Sequence, residues 1–253
     1  MNFYVFNKSI VGYKNKINNK SSQDYLEIES MPEGLICTIA DGHSGDFFTH
    51  SHKGSKFACK AAIEVIKKYI NKDMNEIEIL LKEKVLQKEI CDKWRYLVSL
   101  DMKENLPSVF KYNTFKYGTT LLLVLIKENY ILYMKLGDGD ILLKKHNKIE
   151  NALPVYKKNI VESMSQEKSY EKIIYKIEKN EKDTSDIIIF SDGFENSFVS
   201  YDDMIEDIND TIIKYKKSIF SKYLLDKNYD KYLIKLSENR SLDDISIIFI
   251  NLL

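Results

Sequence analysis

The chain has 253 residues, of which 44% are hydrophobic and 30% are charged, so it can form a sizeable globular core. Its 38 basic and 38 acidic residues cancel, and this balance argues against a nucleic-acid or anionic-membrane partner. The longest purely apolar run, residues 121–126, is far shorter than the roughly 18 residues that a membrane helix needs. The first residues show no signal-peptide pattern, and we expect a cytoplasmic, monomeric protein.

The N-terminal third of the sequence predicts strands followed by helices. Residues 3–11, 24–30 and 34–40 are short and apolar or alternating, as in strands, and a loop rich in Lys and Asn joins the first two. From Gly54 the apolar residues recur at steps of three and four, which indicates an amphipathic helix. A second helix, which can contain a break, is predicted from about residue 75 to residue 104.

After Pro107 the pattern returns to strands. The runs 117–126, 130–138 and 141–146 are closely spaced, and short turns between them predict an antiparallel meander. The later segments alternate less regularly: strands at 172–178 and 186–193, helices over 200–237 and a final strand at 243–253. Segregated strands and helices favour an α+β architecture. Because no linker divides the chain, we expect one domain over residues 1–253.

Acidic residues recur where the buried strands begin or end. Asp41, Asp138 and Asp192 each follow a strand and precede a glycine, and Asp243 precedes the last strand. For any one position the ordinary interpretation is an Asp-Gly turn. As a set at one sheet edge, however, these carboxylates would repel one another unless a cation lay among them. Carboxylate oxygens without Cys or His ligands suit a hard ion such as Mg²⁺ or Mn²⁺.

Six short motifs between Gly12 and Phe249 carry a resemblance to a known family. In chain order they are "SSQDYLE", "ADGHSG", "YGTTLLLV", "LGDGD", "FSDGF" and "SLDDISIIF". Each motif is weak alone, but their order and spacing are similar to those of the PP2C-type metal-dependent Ser/Thr protein phosphatases of bacteria. The resemblance implies a four-layer α-β-β-α sandwich, in which helices flank two antiparallel sheets.

The resemblance also implies a metal centre that holds two Mn²⁺ or Mg²⁺ ions. Asp41 would bridge both ions, and the carbonyl of Gly42 would contribute to the second. Asp192 and Asp243 would complete the first ion's ligands. Asp138 would hold a third, weaker ion, as in bacterial members.

The implied reaction is the hydrolysis of phosphoserine or phosphothreonine by in-line attack of water activated between the two ions. Asp24 would orient that water, and His43 would protonate the departing Ser or Thr oxygen. On local evidence alone, a single His beside a turn is more often a surface residue. The implied partners are a phosphorylated protein substrate and a cognate Ser/Thr kinase.

The sequence departs from the family pattern at several positions. Gln23 stands where many members have Glu, so the second ion would bind more weakly. Gly139 and Asp140 replace a small hydroxyl residue and a common Arg. The Arg that often grips the substrate phosphate is absent, and Lys lacks its two-pronged geometry. Three lysines are candidates for that role, although none aligns with it: Lys14, Lys16 and Lys20.

Three other functions remain open at this point. The fold could serve as a noncatalytic phosphoprotein-binding module, although the retained Asp residues argue against it. The same metal centre could act on small phosphate esters, or the Asp residues could be turn formers in a structural protein. The polar segment 147–170 lies where the family carries a variable flap beside the active site, and we expect it to influence specificity. The three cysteines are predicted to be packing residues.

Overall fold

The computed structural model describes residues 3–105, 113–146, 148–155, 162–181 and 183–252. Its strands are β1 (Phe3–Ile10), β2 (Tyr25–Met31), β3 (Gly34–Ala40), β4 (Leu121–Ile126), β5 (Tyr130–Leu136), β6 (Asp140–Lys145), β7 (Lys148–Asn151), β8 (Ile174–Lys179), β9 (Thr184–Phe190) and β10 (Ile245–Leu252). Its α-helices are α1 (Tyr13–Ile17), α2 (Ser51–Lys68), α3 (Met74–Lys82), α4 (Val85–Asn105), α5 (Asp192–Glu195), α6 (Tyr201–Lys217) and α7 (Ile219–Leu236). Part of the predicted flap, residues 147 and 156–161, lies outside the described residues.

The ten strands form two antiparallel five-stranded sheets. One sheet has the order β1-β10-β9-β6-β7, and the other has the order β2-β3-β4-β5-β8. The first and last strands of the chain pair along their whole length, from Phe3 opposite Leu252 to Ile10 opposite Ile245. The predicted α+β fold with two antiparallel sheets is therefore confirmed.

Three groups of buried apolar side chains hold four layers together. The strands alternate their side chains between two faces, so β3 and β4 send Cys37 and Val124 toward the other sheet and Ile36 and Leu123 toward α2 and α4. The outer face of the first sheet packs its apolar residues, such as Phe249, against α6 and α7. The order of layers is helices, sheet, sheet, helices, as the resemblance implies.

The predicted meander is correct for β4 and β5 but wrong for β6. Strands β4 and β5 pair from Leu121 opposite Leu136 onward, whereas β6 pairs with β7 and β9 in the other sheet. The chain changes sheets at the turn Gly137–Gly139, where Gly137 has a φ of +100° that an L side chain rarely adopts. This change of sheet places Asp138 at the end of the sandwich, between the two layers.

The helices depart from prediction at two points. Residues 13–17, which were predicted to be loop, form the short helix α1. The helix predicted over residues 75–104 is divided into α3 and α4 by Lys84, whose φ of 60° is left-handed. Asp73 begins α3 with a capping box, in which its side chain accepts from the Glu76 N–H. Within the described ranges, no helix is long and apolar enough to cross a membrane.

The cysteines confirm the packing interpretation. Cys37, Cys59 and Cys91 are all free thiols and all fully buried. Burial raises the pKa of the Cys91 thiol to about 11, so this thiol is protonated at neutral pH.

Candidate metal centre

Asp41 follows β3, and its backbone is fixed by two threonines that precede β4. The Asp41 N–H donates to the Thr120 hydroxyl at 2.9 Å, and the Thr119 hydroxyl donates to the Asp41 carbonyl at 2.8 Å. The Thr120 N–H donates to the same carbonyl at 2.8 Å. Because these contacts use backbone atoms, the Asp41 carboxyl group is left to face the cavity described below. The motif "YGTT" therefore has a structural role that sequence analysis did not assign.

Gly42 lies where three segments of backbone meet. Its N–H donates to the Gln23 carbonyl at 3.1 Å. A Cβ atom at this position would lie 2.7 Å from the Gln23 oxygen and 2.8 Å from the Ser51 backbone, closer than real Cβ contacts. Only glycine fits this position without moving the start of α2, and its carbonyl stays beside Asp41.

The remaining acidic residues reach the same end of the sandwich from three other segments. Asp192 is the first residue of α5, and Asn196 donates to its Oδ2 at 3.0 Å. Asp138 lies in the turn between β5 and β6. Asp243 precedes β10, and its Oδ1 accepts from the Asp244 N–H at 2.9 Å.

These residues line one cavity of about 270 Å³. Its lining consists of Asp41, Gly42, His43, Ser44, Thr120, Asp138, Asp192 and Asp243. All five residues that sequence analysis assigned to metal binding are in this set, and so is His43. The structure therefore brings together groups that lie as far as 200 residues apart in the chain.

The cavity concentrates negative charge. Burial, then the charges of Asp24, Asp192 and Asp243, raises the pKa of Asp41 well above its usual range. Burial also raises the pKa of Asp192 to about 6, with Asp138 and Asp243 adding to the rise. The Asp41 and Asp192 carboxyl groups each affect the pKa of the other, and a cation could offset the repulsion among these acids.

The donor set has the chemistry of a hard-ion site, since it offers carboxylate oxygens and one carbonyl with no thiol. Across the described residues, however, no three His, Cys, Asp or Glu side chains stand as a group that could hold a metal ion. Like charges without a counter-ion are expected to stay apart. The ligand types and their shared cavity fit a hard ion such as Mn²⁺ or Mg²⁺.

His43 lies at the rim of the cavity and is held by aromatic packing. Its ring meets Phe48 edge-on at a centroid distance of 5.2 Å, and its backbone N–H donates to the Gly118 carbonyl at 3.0 Å. Burial lowers the pKa of the His43 imidazole, and the charge of Asp138 opposes that shift. The net shift is downward and favours the neutral imidazole, and Asp138 limits that shift.

Asp24 lies behind the cavity rather than on its wall. Ser191 donates to its Oδ2 at 2.6 Å, whereas its buried Oδ1 has no hydrogen-bond partner in the described structure. Burial, followed by the charge of Asp244, raises the pKa of Asp24 well above its usual range. This buried oxygen can accept a hydrogen bond, and the charge of Asp24 acts on Asp41.

Two neighbouring residues prove to be structural. Gln23 donates from Nε2 to the Ser51 hydroxyl at 2.7 Å and to the His43 carbonyl at 3.2 Å, so its amide joins the Asp41–His43 segment to α2. Asp244 accepts from the Gly12 and Gln23 N–H groups, both at 2.6 Å. Sequence reasoning alone cannot distinguish the roles of the adjacent residues Asp243 and Asp244.

The three candidate lysines differ in their surroundings. Lys16 pairs with Glu238 at 3.6 Å, which draws it away from the site. The positive charge of Lys14 acts on Asp243 and opposes the rise in the pKa of that carboxyl group. Lys20 is exposed. Of the three, Lys14 is the one whose charge is shown to reach a cavity residue.

Comparison with known proteins decides the family. A model of the protein phosphatase 2C family matches residues 11–226. The chain belongs to the protein phosphatase 2C family. A sequence search of curated proteins finds no match.

Several solved structures, including serine/threonine phosphatases, have the same fold. The serine/threonine phosphatase Stp1 of Staphylococcus aureus superposes with a TM-score of 0.63 at 16% identity, covering 100% of this chain and 96% of that one. The catalytic domain of the phosphatase PstP, crystallised with two manganese ions, gives a TM-score of 0.58 at 11% identity, covering 98% and 97%. RsbX in complex with magnesium gives 0.54 at 15% identity, covering 99% and 96%. These likenesses establish the PP2C fold of the chain.

Proposed function

We propose that this PP2C-family protein is a metal-dependent Ser/Thr protein phosphatase, a single domain that hydrolyses phosphoserine and phosphothreonine without a covalent intermediate. The observation that carries the proposal is the convergence of Asp41, Asp138, Asp192 and Asp243 on one cavity that also has His43 at its rim. A noncatalytic binding module would have no need to keep these repelling carboxylates together.

Mn²⁺ or Mg²⁺ would be held by the cavity carboxylates. Asp41 would be a ligand of two ions. Asp192 and Asp243 would complete the ligands of the first ion, and the Gly42 carbonyl would contribute to the second. Asp138 would hold a third ion. When bound, the ions would neutralise phosphate oxygens and lower the pKa of water. The manganese and magnesium in the PstP and RsbX structures support this choice of metal.

The chain's own residues supply the proton transfers. Asp24 would hold water by its unpartnered Oδ1. His43, placed at the rim and kept in position by Phe48, would give a proton to the departing Ser or Thr oxygen. Lys14 would attract the substrate phosphate from the direction of Asp243. The substrate would be a phosphorylated protein, supplied by a cognate Ser/Thr kinase, and the enzyme would act as a cytoplasmic monomer.

The deciding experiment is a phosphate-release assay on purified protein with Mn²⁺, with Mg²⁺ and with EDTA. We expect turnover of a phosphoserine peptide with either ion and none in EDTA, since no side chain of the site is proposed as a nucleophile. Full activity in EDTA would contradict the proposal. Faster turnover of small phosphate esters than of peptides would instead indicate a small-molecule phosphoesterase.

A pair of variants distinguishes the effect of the cavity from that of the loop that carries Asp41. Asp41→Asn removes a proposed ligand, whereas Asp46→Asn removes an equal charge from an exposed position in the same loop, outside the cavity lining. We expect Asp46→Asn to retain activity and Asp41→Asn to lose it. Equal activity of the two variants would show that the cavity is not the reaction centre.

A further inference from the structure

A second cavity lies between α6 and α7, away from the acidic cavity. It has a volume of about 410 Å³, and its walls include the apolar side chains of Leu224 and Leu225 and the rings of Tyr229 and Tyr232. Asp207, near the middle of α6, also lines it. The family match ends at residue 226, so both tyrosines lie beyond it. Nothing in the proposed phosphatase reaction uses this cavity.

Two buried polar atoms at this cavity have no hydrogen-bond partner in the described structure. One is the hydroxyl of Tyr229, a residue only 3% exposed, and the other is Oδ2 of Asp207. The Tyr232 hydroxyl donates to the other oxygen of Asp207, Oδ1. Thr211, which is 2% exposed, also lines the cavity and opposes the rise in the Tyr229 pKa, but its hydroxyl does not reach hydrogen-bond geometry with that of Tyr229. Buried polar groups in proteins normally have a partner, so these atoms indicate a ligand that supplies one.

The Asp207 oxygen without a partner favours a cationic donor, although Lys214, which also lines the cavity, and Asp210 act on this acid in opposite directions. Burial raises the pKa of the Asp207 carboxyl group, Lys214 opposes the rise and Asp210 adds to it. Lys214 is exposed, so water weakens its effect on the cavity. An ammonium group has three N–H donors and no acceptor, which matches a set of oxygens that lack donors. The ring of Tyr232, which is only partly buried, can also attract a cation.

We propose that the cavity between α6 and α7 binds a small organic amine, with its ammonium group at Asp207 and Tyr229 and its apolar body between Leu224 and Leu225. The site is independent of the phosphatase reaction. A ligand of this class combines the apolar contact that the leucines offer with the hydrogen bonds that the two buried oxygens lack.

Phenethylamine is a suitable probe, since it carries one ammonium group on an aromatic body. Phenethyl alcohol and 3-phenylpropionate keep the aromatic body but change the polar group to a neutral hydroxyl and to a carboxylate. We expect calorimetric titration to show that affinity falls from the amine to the alcohol to the carboxylate. The amine should bind at least about tenfold more tightly than the carboxylate. Chemical-shift changes should centre on the Leu224 and Leu225 methyl groups.

Two variants test the polar contacts. Asp207→Asn keeps the size of the side chain and should weaken phenethylamine binding by about tenfold or more, while phenethyl alcohol binding changes less. Tyr229→Phe should weaken binding of both. Glu206→Gln is the matched control, because Glu206 is an exposed acid on α6 outside the cavity lining, and it should change neither.

Three outcomes would overturn the proposal. They are no binding of phenethylamine to the unaltered protein at concentrations on the order of 10 mM, equal affinity of phenethylamine for Asp207→Asn and for the unaltered protein, and tighter binding of 3-phenylpropionate than of phenethylamine. Circular dichroism melting curves identify any variant that fails to fold. If Asp207→Asn does not fold, Tyr229→Phe together with the order of the three probes still decides the question.

Discussion

Asp140 and Asp41 are acidic residues near the same end of the sandwich, but their surroundings differ. The Asp140 carboxylate accepts from Lys135 Nζ at 2.7 Å, and both side chains are almost fully buried. Asp41 forms no ion pair within the described part of the chain, and its closest charges are those of other carboxylates. The Asp140 charge is neutralised within the fold, whereas the Asp41 charge is left for a ligand to neutralise. This difference separates a structural acid from a candidate metal ligand.

The largest expected effect comes from the unpaired acids. Asp41→Asn and Asp192→Asn preserve size but remove ligand charge, and each should lower kcat on a phosphoserine peptide by more than about 10²-fold, which exceeds the usual cost of losing an outer-sphere partner. Calorimetric titration should show weaker Mn²⁺ binding, with the apo fold retained. If both variants bind Mn²⁺ as tightly as the unaltered protein does, these residues are turn formers.

The paired acid should instead control stability. Lys135→Met leaves the Asp140 carboxylate buried without its cation, and we expect the free energy of unfolding to fall by about 3–5 kcal/mol. Adding Asp140→Leu should recover most of that loss, since an apolar pair carries no buried charge. Urea unfolding measures both effects.

An exposed ion pair provides the control for Lys135→Met. Lys72 and Glu76 are i,i+4 partners on the surface at 2.6 Å. Lys72→Met should cost less than about 0.5 kcal/mol. Equal losses from Lys72→Met and Lys135→Met would show that burial does not distinguish the two pairs.

Replacing His43 tests whether this residue at the cavity rim acts as a general acid. His43→Ala should lower kcat on a phosphoserine peptide by about 10²-fold, within the usual range for a general acid. The loss on p-nitrophenyl phosphate should be much smaller, because p-nitrophenolate leaves without a proton. Single-turnover measurements ensure that chemistry limits both rates. His52→Ala, at an exposed position, is the control. Equal losses on both substrates would assign His43 a structural or ligand role.

Much of the fold was predictable because periodicity records burial. The strands with continuous apolar runs, such as β4 and β9, and the amphipathic helix α2 appear in the structure close to their predicted positions. The sheet assignment of β6 was not predictable from strand spacing. A turn of three residues serves a hairpin and a change of sheet equally well, and tertiary packing decides between them.

The site was predictable to the level of its acidic residues but not of their supports. Asp41 and Asp192 were identified because their motifs lie at strand ends. The sequence could not show that Thr120 fixes the backbone of Asp41 or that Gln23 donates to the His43 carbonyl, since these contacts join residues 20 to 79 positions apart. Polar residues of this kind have no periodic pattern that predicts their partners.

The smallest expected effect is the pH dependence of the metal-free chain. The folded-state pKa of Asp192, about 6, exceeds the value of about 3.9 in an unfolded chain. As pH rises, the unfolded chain therefore ionises first, and this carboxyl group stabilises the fold below about pH 4 but not above about pH 6. His43 has the opposite sign, since its lowered pKa disfavours the fold as pH falls below about 6.5.

Asp41→Asn isolates the mutual effect of the Asp41 and Asp192 carboxyl groups, because the contribution of His43 should largely cancel when the variant is compared with the unaltered protein. Removing one of the two carboxyl groups should raise the free energy of unfolding at pH 7.5 by about 1 kcal/mol or more and have less effect at pH 4.5. Urea unfolding in EDTA at both pH values measures the difference, and Asp46→Asn should follow the unaltered protein. A stabilisation equal at both pH values would mean that the carboxyl groups of Asp41 and Asp192 do not repel each other in the folded chain, and the contrast with the neutralised Asp140 would then fail.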